Sequence, residues 1–239
     1  MNKLHLNKID STNNYLKQNY KNLENYSFVS VDLQTNGKGR NSRKWKSENG
    51  KNLLFSLLLL DKQLFNHFKE ISVITAYSII EALSKIGIKG LSLKWPNDVY
   101  VNGKKICGIL LESVSEDEMQ CLIIGVGLNV NQTLFEGEYR VEPTSILNET
   151  NVKQDIEKIK EDIYITLLSN INSLKDGKNF YHLITKYDYL KDREVSLEIE
   201  NVYKEAKVKG IQEDYSLLIE SDGKLVNVYT GEVDLIKIK

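Results

Sequence analysis

A glycine-rich basic segment is the first feature of this sequence that could bind a small anion. The run begins with Gly37-Lys38-Gly39-Arg40 and continues through Arg43, Lys44 and Trp45. Glycines let backbone N–H groups approach a ligand, and successive amides form an anion-binding nest. Arginine and lysine side chains add charge-assisted hydrogen bonds to a carboxylate or a phosphate. The segment follows neither the P-loop pattern nor the dinucleotide fingerprint, so a solvated basic loop is the alternative reading.

A second segment, Lys94-Trp95-Pro96-Asn97-Asp98, places polar residues at the end of an apolar strand. Proline is rare here, since the chain contains two. An asparagine can hold a metal-bound water or read a base, and an aspartate can accept a proton or approach Mg²⁺. A plain turn over residues 96–98 is the alternative reading.

Two further apolar strands carry residues that suit a binding pocket. Lys105 enters a buried strand and is followed three residues later by Gly108, while Gly125, Gly127 and Asn129 lie on another strand. Glycine within a strand often marks the close approach of a ligand or of another backbone. The alternatives are an edge-strand lysine, which is a common structural device, and glycines that serve tight packing or a bulge.

Hydrophobic periodicity predicts the elements that position these segments. Strands are expected at residues 27–31, 53–60, 91–95, 99–106, 110–114 and 120–130, with a hairpin turn at Asn102-Gly103. Helices are expected from Ser11 or Thr12, whose hydroxyl could cap the first turn, and over residues 68–86, 156–167 and 180–189. Gly87 is placed to end the second of these helices.

A different pattern begins at Glu194. Short alternating strands are predicted at residues 195–199, 206–208, 217–219, 225–228 and 233–238, separated by glycine-containing turns. This pattern is typical of a small, compact β-barrel. The sequence therefore predicts two domains, comprising residues 1–190 and residues 191–239.

The composition excludes several classes of protein. Of 239 residues, 32 are Lys or Arg and 33 are Asp or Glu, so the net charge of −1 gives no global attraction to nucleic acid or to an anionic membrane. No signal peptide is apparent, and the longest unbroken apolar run, Leu57 to Leu60, is far too short for a membrane span. Cys107 and Cys121 lie in apolar stretches without metal-binding spacing, as buried free thiols of a cytoplasmic protein would.

Taken in order, the polar segments resemble the biotin protein ligase family. The resemblance rests on Asp10-Ser11-Thr12-Asn13, Gln34 to Arg40, Arg43-Lys44-Trp45, Lys94 to Asp98, Lys105 to Leu110, and Gly125 to Asn129. It implies an α+β fold, in which a mixed-sheet biotin/lipoate ligase-like catalytic domain precedes an SH3-like β-barrel. It also implies two half-reactions: biotin and MgATP form biotinyl-5′-AMP, and a lysine of a biotin carboxyl carrier domain then displaces AMP.

The resemblance also implies roles for individual residues. Lys105 and Arg40 would act in catalysis, Lys105 at the carboxylate and α-phosphate, and Asp98 would orient or deprotonate the acceptor lysine. Biotin contacts are expected from Ser11, Thr12, Asn13, Gln34, Gly37, Lys38, Gly39, Arg40, Lys105 and Gly108. Nucleotide contacts are expected from Arg40, Arg43, Trp45, Asn97, Lys105 and Asn129, with Trp45 stacked on adenine and Asn97 serving Mg²⁺ indirectly. The chain departs from the family pattern at Lys38, Ser42 and Cys107.

Two other functions compete with this interpretation. A lipoate or octanoate ligase would share the fold and the acyl-adenylate chemistry, but the motifs look like the biotin branch. A nucleic-acid-binding module is disfavoured by the neutral charge and by the lack of clustered aromatic residues in the barrel. Some family members carry an N-terminal helix-turn-helix domain, but here the first motif starts by residue 11, so neither that domain nor DNA binding is expected. The sequence leaves monomer and homodimer both open.

Overall fold

The computed structural model describes residues 3–199, 202–229, 231 and 233–236. The strands of the first sheet are β1 (Lys3–Ile9), β2 (Phe28–Gln34), β3 (Asn52–Leu59), β4 (Leu91–Lys94), β5 (Asp98–Val101), β6 (Lys104–Ser115) and β7 (Met119–Asn129). The helices are α1 (Thr12–Asn19), α2 (Phe68–Lys85), α3 (Ile146–Thr150), α4 (Ile156–Lys175) and α5 (Tyr181–Ile184). Short 3₁₀ turns occupy Tyr20–Asn22, Lys62–His67 and Thr185–Tyr187.

The first sheet is mixed. Its strand order is β1-β2-β3-β7-β6-β5-β4, in which β1 and β2 are parallel and the other neighbours are antiparallel. Helices α2 and α4 pack together over one face, whereas α1 contacts the opposite face through β3, β6 and β7. This arrangement confirms the predicted mixed-sheet α+β fold.

Strand β3 explains the longest apolar run in the sequence. Every residue from Asn52 to Leu59 is buried. Phe55 and Leu57 pack in the core beneath α2 and α4, while Leu58 packs on the other side beside Leu16 of α1. A central strand covered on both faces needs apolar residues at nearly every position. The predicted strand and its two-sided burial are therefore confirmed.

Helix α1 begins where the sequence predicts, but the first turn is capped differently. Ser11 is the N-cap residue, yet its hydroxyl makes no capping hydrogen bond. Instead the backbone N–H of Thr12 donates to Gln34 Oε1 at 2.8 Å. A side chain from the end of β2 thus satisfies a free amide of the helix terminus, and the expected hydroxyl cap is wrong.

The predicted helix over residues 180–189 is also wrong in extent. It is reduced to α5 and one 3₁₀ turn. The chain then leaves the helical path because the N–H of Tyr189 donates to the carbonyl of Leu93 on β4 at 2.9 Å. The carboxylate of Asp188 accepts from the N–H groups of Leu190 and Ile211. Pairing with the sheet edge therefore replaces the last helical turns. Strand β1 and helix α3 were not predicted.

The C-terminal strands form a separate five-stranded antiparallel sheet that fits an SH3-like barrel. They are β8 (Glu194–Ile199), β9 (Val202–Ile211), β10 (Leu217–Ser221), β11 (Lys224–Val228) and β12 (Val233–Leu235), in the order β11-β10-β9-β8-β12. Residues 237 and 238 of the predicted strand 233–238 lie outside the described residues. The proposed boundary at residues 190 and 191 falls between the 3₁₀ turn and β8 and stays a prediction.

The barrel packs closely against the first sheet. Trp95 Nε1 donates to the carbonyl of Tyr215 at 2.9 Å, and the hydroxyl of Tyr215 accepts from the N–H of Phe180 at 3.1 Å. Trp95 and Phe180 are fully buried. Because these polar contacts are shielded from water, they hold the barrel in a defined position beside β4.

Candidate functional site

The face of the first sheet that carries α1 supplies the floor of a cavity. Strand register places Asp98, Gly108 and Gly127 side by side on β5, β6 and β7. One step along the sheet, Leu110 and Gly125 are paired, and Ser56 of β3 faces Gly125. The missing side chains of the glycines leave a depression in the sheet surface.

Helix α1 closes one end of this depression with polar groups. The hydroxyl of Thr12 donates to Gln34 Oε1 at 3.1 Å, and Ser56 Oγ lies 2.6 Å from Thr12 Oγ1 and 2.5 Å from Asn13 Oδ1. Asn13 Nδ2 donates to a carboxylate oxygen of Glu112 at 2.7 Å. Thr12, Asn13 and Ser56 are buried. This network fixes hydrogen-bonding groups at the end of the cavity remote from Asp98.

The glycine-rich segment folds into a small hairpin above the floor. Lys38 and Lys44 pair as an antiparallel bridge, and the N–H of Gly39 donates to the carbonyl of Arg43 at 2.7 Å. The turn residues Asn41 and Ser42 have φ values of 52° and 59°. Two successive positive φ values define a type I′ turn, whose second position favours glycine. Ser42, one of the departures from the family pattern, therefore occupies a strained position.

Trp45 lies directly on the glycine floor. A Cβ atom added to Gly127 would lie 2.5 Å from Trp45 Cε2, and one added to Gly108 would lie 2.9 Å from Trp45 Cζ3. The indole Nε1 is buried and has no hydrogen-bond partner among the described residues. The two strand glycines thus make room for the tightly packed ring of Trp45. Tight packing, the alternative reading of these glycines, is therefore what the structure shows.

Charged residues concentrate at the other end of the floor. Lys105 Nζ lies 2.8 Å from Asp98 Oδ1. Arg40 reaches across from the hairpin and donates to Asn97 Oδ1 at 3.2 Å, while Asn97 Nδ2 donates to the carbonyl of Ile109 at 2.7 Å. Burial lowers the pKa of Arg40, and the nearby carboxylate of Asp98 opposes this effect. A guanidinium remains charged at neutral pH despite such a shift.

The remaining wall comes from segments without a recognisable motif. The loop of residues 131–145 contributes Phe135, Tyr139 and Arg140, and the barrel contributes Gly231 and Asp234. Arg140 forms an ion pair with Asp234. Arg40 also donates to the carbonyl of Gly231 at 2.9 Å. No sequence pattern predicted these residues, because the barrel is distant in sequence and meets the site only through tertiary packing.

Together these segments enclose a cavity of about 420 Å³, a volume that suits a small-molecule ligand. The structure brings together all but one of the predicted site residues, namely Ser11, Thr12, Asn13, Gln34, Lys38, Gly39, Arg40, Arg43, Trp45, Asn97, Asp98, Lys105, Gly108 and Asn129. Gly37 does not line the cavity. An added Cβ there would lie 2.6 Å from the carbonyl oxygen of Trp45, so Gly37 serves the packing of the hairpin.

A divalent cation in this cavity would be held by amide oxygens rather than by a cluster of acidic side chains. Among the described residues, no group of three or more His, Cys, Asp or Glu side chains could hold a metal. Asn129 Oδ1 is buried and has no hydrogen-bond partner in the described part of the chain, and Asn129 Nδ2 donates to the carbonyl of Thr144 at 2.9 Å. Such a site suits Mg²⁺ that arrives on substrate phosphates, because Mg²⁺ commonly keeps few protein ligands.

Two other features of the described part of the chain bear on its environment. Cys107 and Cys121 are free and buried, as predicted. None of the helices in that part combines the length and apolar composition needed to cross a bilayer.

The arrangement can bind an elongated ligand with an anionic centre. The network around Thr12 offers donors and acceptors at one end, and the cations Arg40 and Lys105 gather at the other. A carboxylate and a phosphate held there would be stabilised together in a partly desolvated site, where charge-assisted hydrogen bonds are strong. The geometry therefore suits the joining of a carboxylic acid to a nucleotide phosphate.

Comparison with known proteins agrees with this geometry. The biotin/lipoate A/B protein ligase family matches residues 6–129. The bifunctional ligase/repressor BirA of Bacillus spizizenii is 34% identical over 132 residues, covering 54% of this chain and 41% of that protein. BirA of Salmonella typhimurium is 29% identical over 231 residues, covering 95% of this chain and 72% of that protein. The chain thus spans from less than half to about three quarters of the length of these relatives.

A solved structure covers the whole fold. The biotin protein ligase of Aquifex aeolicus, in complex with biotin and ATP, superposes with a TM-score of 0.87 and 31% identity, covering 98% of each chain. The similarity includes both the mixed sheet and the C-terminal barrel. With more than half of its length matched by the family and nearly all of it by this structure, the chain belongs to the biotin/lipoate A/B protein ligase family and resembles its biotin protein ligases.

Proposed function

We propose that this protein is an ATP-dependent biotin–protein ligase. In the first half-reaction, a carboxylate oxygen of biotin attacks the α-phosphorus of ATP, and biotinyl-5′-AMP and pyrophosphate form. In the second, the neutral amine of a carrier lysine attacks the acyl carbon and AMP leaves. The proposal is supported by family membership and by the similarity to a ligase bound to biotin and ATP.

One observation carries the proposal most directly. Lys105 and Arg40 converge on the cavity end that also contains Asp98. A carboxylate and a phosphate repel each other in water, so their reaction requires fixed cations at the point where they meet. Lys105 is the cation that lies on the floor, and Arg40 is the one that closes over it. We assign these two side chains to the reacting groups.

The opposite end of the cavity suits the polar ring system of biotin. Thr12, Gln34 and Ser56 already exchange hydrogen bonds among themselves. A ligand that carries one acceptor and two donors can replace some of these bonds without leaving a buried group unpaired. Ser11 and Asn13 complete this end of the site.

The nucleotide would occupy the space beside Trp45. Stacking of a base on the indole contributes about 1–3 kcal/mol. When bound, Mg²⁺ would neutralise part of the phosphate charge, and Asn97 and Asn129 are the amide side chains that would help to hold it. Arg43 also lines the cavity.

Asp98 is assigned to the transfer half-reaction. An acceptor lysine must lose a proton before it attacks, and a carboxylate at the reacting centre can orient and accept from the ammonium. Release of Lys105 from Asp98 by the bound anion would leave this carboxylate available. The enclosed cavity protects the mixed anhydride from free water.

We further propose that the macromolecular partner is a biotin carboxyl carrier domain and not DNA. The near-neutral net charge supports this choice, because DNA binding relies on a basic surface that contacts several phosphates. Two free buried cysteines support a reducing compartment such as the cytoplasm. The two separate sheets support a division between residues 190 and 191. The monomer and the homodimer are both compatible with this function.

Biotin-dependent ATP–pyrophosphate exchange tests the first half-reaction. We expect exchange with biotin and little with lipoate or octanoate, followed by labelling of a carrier domain. Exchange supported by lipoate alone would identify the other branch of the family. A gel-shift titration at low salt with the biotin-loaded protein tests the choice of partner, and salt-resistant, sequence-selective retardation of DNA would refute it.

A further inference from the structure

Two polar side chains of the cavity wall have no described function in the site. Lys94 of β4 and Tyr100 of β5 both line the cavity. Tyr100 is only 1% exposed, and its hydroxyl has no hydrogen-bond partner among the described residues. Within the same part of the chain, the Lys94 ammonium forms no hydrogen bond or ion pair, and lies 5.8 Å from the centre of the Tyr100 ring.

Strand register places both side chains on the reactive face of the sheet. Lys94 is paired with Asp98, and Tyr100 is paired with Lys105. The register with β6 shifts between Val99 and Tyr100, but Asp98 and Tyr100 are two positions apart on β5 and both line the cavity. Lys105 neutralises Asp98 through its 2.8 Å contact, which leaves the charge of Lys94 without a close counterion. Lys94, Asp98, Tyr100 and Lys105 thus form one continuous polar patch.

This arrangement is costly without a ligand. A buried hydroxyl without a partner and a half-buried ammonium without a counterion both lose hydration. Burial accordingly lowers the pKa of Lys94 to about 8, Asp98 acts in the opposite direction, and the cations Lys105, Arg140 and Arg43 reinforce the lowering. A group that accepts hydrogen bonds and carries negative charge would satisfy both side chains at once.

The charge of the whole cavity identifies a polyanion as that group. Among the described residues, eight cationic side chains line it: Lys38, Arg40, Arg43, Lys44, Lys46, Lys94, Lys105 and Arg140. Three acidic side chains of the described part of the chain do so: Asp98, Glu138 and Asp234. One carboxylate and one α-phosphate leave most of this excess uncompensated, whereas the β- and γ-phosphates of ATP would offset more of it, even with Mg²⁺ bound.

We infer that Lys94 and Tyr100 form the subsite that holds the β- and γ-phosphates and receives the departing pyrophosphate. The inference rests on the proposed function. As the carboxylate oxygen bonds to the α-phosphorus, the bond from that phosphorus to the bridging oxygen breaks, and pyrophosphate leaves with the electron pair. The Lys94 ammonium and the Tyr100 hydroxyl donate hydrogen bonds to the charge that develops on the leaving group. No proton needs to be transferred.

The test separates the two half-reactions, because preformed biotinyl-5′-AMP lacks the β- and γ-phosphates. The variants are Lys94→Met, which removes the charge, and Tyr100→Phe, which removes only the hydroxyl. Lys89→Met is the matched control, since Lys89 is exposed and precedes the same strand. For each protein we would measure kcat/KM for MgATP in adenylation, inhibition by pyrophosphate, and transfer from added biotinyl-5′-AMP to a carrier domain.

We expect Lys94→Met to lower kcat/KM for MgATP by about 10- to 100-fold, the range for losing one charge-assisted hydrogen bond. Tyr100→Phe should lower it by about 3- to 10-fold, as for a neutral hydrogen bond. Pyrophosphate inhibition should weaken in parallel, while transfer from biotinyl-5′-AMP and the control stay within about twofold, the scatter of a neutral surface change.

The outcomes distinguish the inference from the function on which it rests. Absence of biotin-dependent exchange in the parent protein would refute the proposed function itself. Exchange in the parent with unchanged pyrophosphate inhibition in both variants would refute only the subsite. Equal losses in adenylation and in transfer would also refute it, because they would indicate a structural role. Tyr100→Phe keeps the ring that packs against Tyr189, so it remains informative if Lys94→Met folds poorly.

Discussion

Replacement of Lys105 by methionine is the most direct perturbation of the proposed chemistry. Methionine keeps an unbranched apolar stem beside Trp45 and removes the ammonium. Lys104→Met is the matched control, since Lys104 is the preceding residue on the same strand and pairs with Glu142 at 2.8 Å instead of lining the cavity. The two variants therefore differ in position rather than in chemistry.

The expected magnitude follows from Coulomb's law. At about 4 Å and an effective dielectric of about 20, two unit charges interact by about 4 kcal/mol. Only part of a unit charge develops between the ground state and the transition state, but Asp98, 2.8 Å from Lys105, would also lose its counterion and repel the phosphates. We therefore expect Lys105→Met to lose about 2.7–4 kcal/mol of transition-state stabilisation, which lowers the adenylation rate by about 10²–10³.

Single-turnover formation of biotinyl-5′-AMP is the appropriate assay, because it isolates chemistry from product release. A thermal melt of each variant separates loss of catalysis from loss of folding. Leaving Asp98 unpaired should cost about 1–3 kcal/mol of stability, which a folded domain tolerates. An adenylation rate for Lys105→Met within about threefold of the parent, equivalent to about 0.7 kcal/mol, would refute the assignment.

Four further predictions concern the hairpin, the floor and the pH response. Arg40→Gly removes the contacts to Asn97 and Gly231 that close the hairpin over the cavity, so biotinyl-5′-AMP should escape and label bystander lysines; unchanged selectivity for the carrier would contradict this. Ser42→Gly relieves a φ of 59° and should stabilise the type I′ turn by roughly 1 kcal/mol, which slower proteolysis within residues 37–45 would report. Gly127→Ala would displace the indole that lies 2.5 Å from the added Cβ, and we expect the KM for ATP to rise about tenfold, the cost of lost base stacking, with biotin affinity unchanged by calorimetry. Phosphate binding requires the charged form of Lys94, whose pKa is about 8. We therefore expect kcat/KM for MgATP to fall by up to about tenfold from pH 7 to pH 9 as the ammonium is lost. The same decline in Lys94→Met would show that another group causes the pH dependence.

The local motifs of the site were predictable because each occupies one short stretch of chain. The hairpin turn at Asn102-Gly103, the helix end at Gly87 and the two-sided burial of β3 follow from backbone preference and apolar periodicity. The predicted local structure was wrong where a residue distant in sequence formed a competing hydrogen bond. Gln34 replaced the expected hydroxyl cap of α1, and pairing with Leu93 shortened the helix after Phe180.

The order of the strands determined which polar residues meet. Asp98 and Gly127 are 29 positions apart in sequence but are separated in the sheet only by β6. Their common face could not be read from either motif alone, because a shift of one residue in strand register would turn every side chain to the opposite face. The role inferred for Tyr100 depends on that register, since no local pattern distinguishes it from a core tyrosine.

By itself, the sequence determined the residue types of the site: the glycines that admit an indole, the cations for an acid and a phosphate, and the amides around them. Those choices are local, because backbone freedom and charge belong to single residues. Only the tertiary structure decided that the barrel contributes Gly231 and Asp234 to the wall, that Gly37 packs the hairpin, and that Lys105 rather than Lys94 neutralises Asp98. Contacts of this kind depend on packing between segments far apart in the chain, where distances of a few ångströms decide which charges pair.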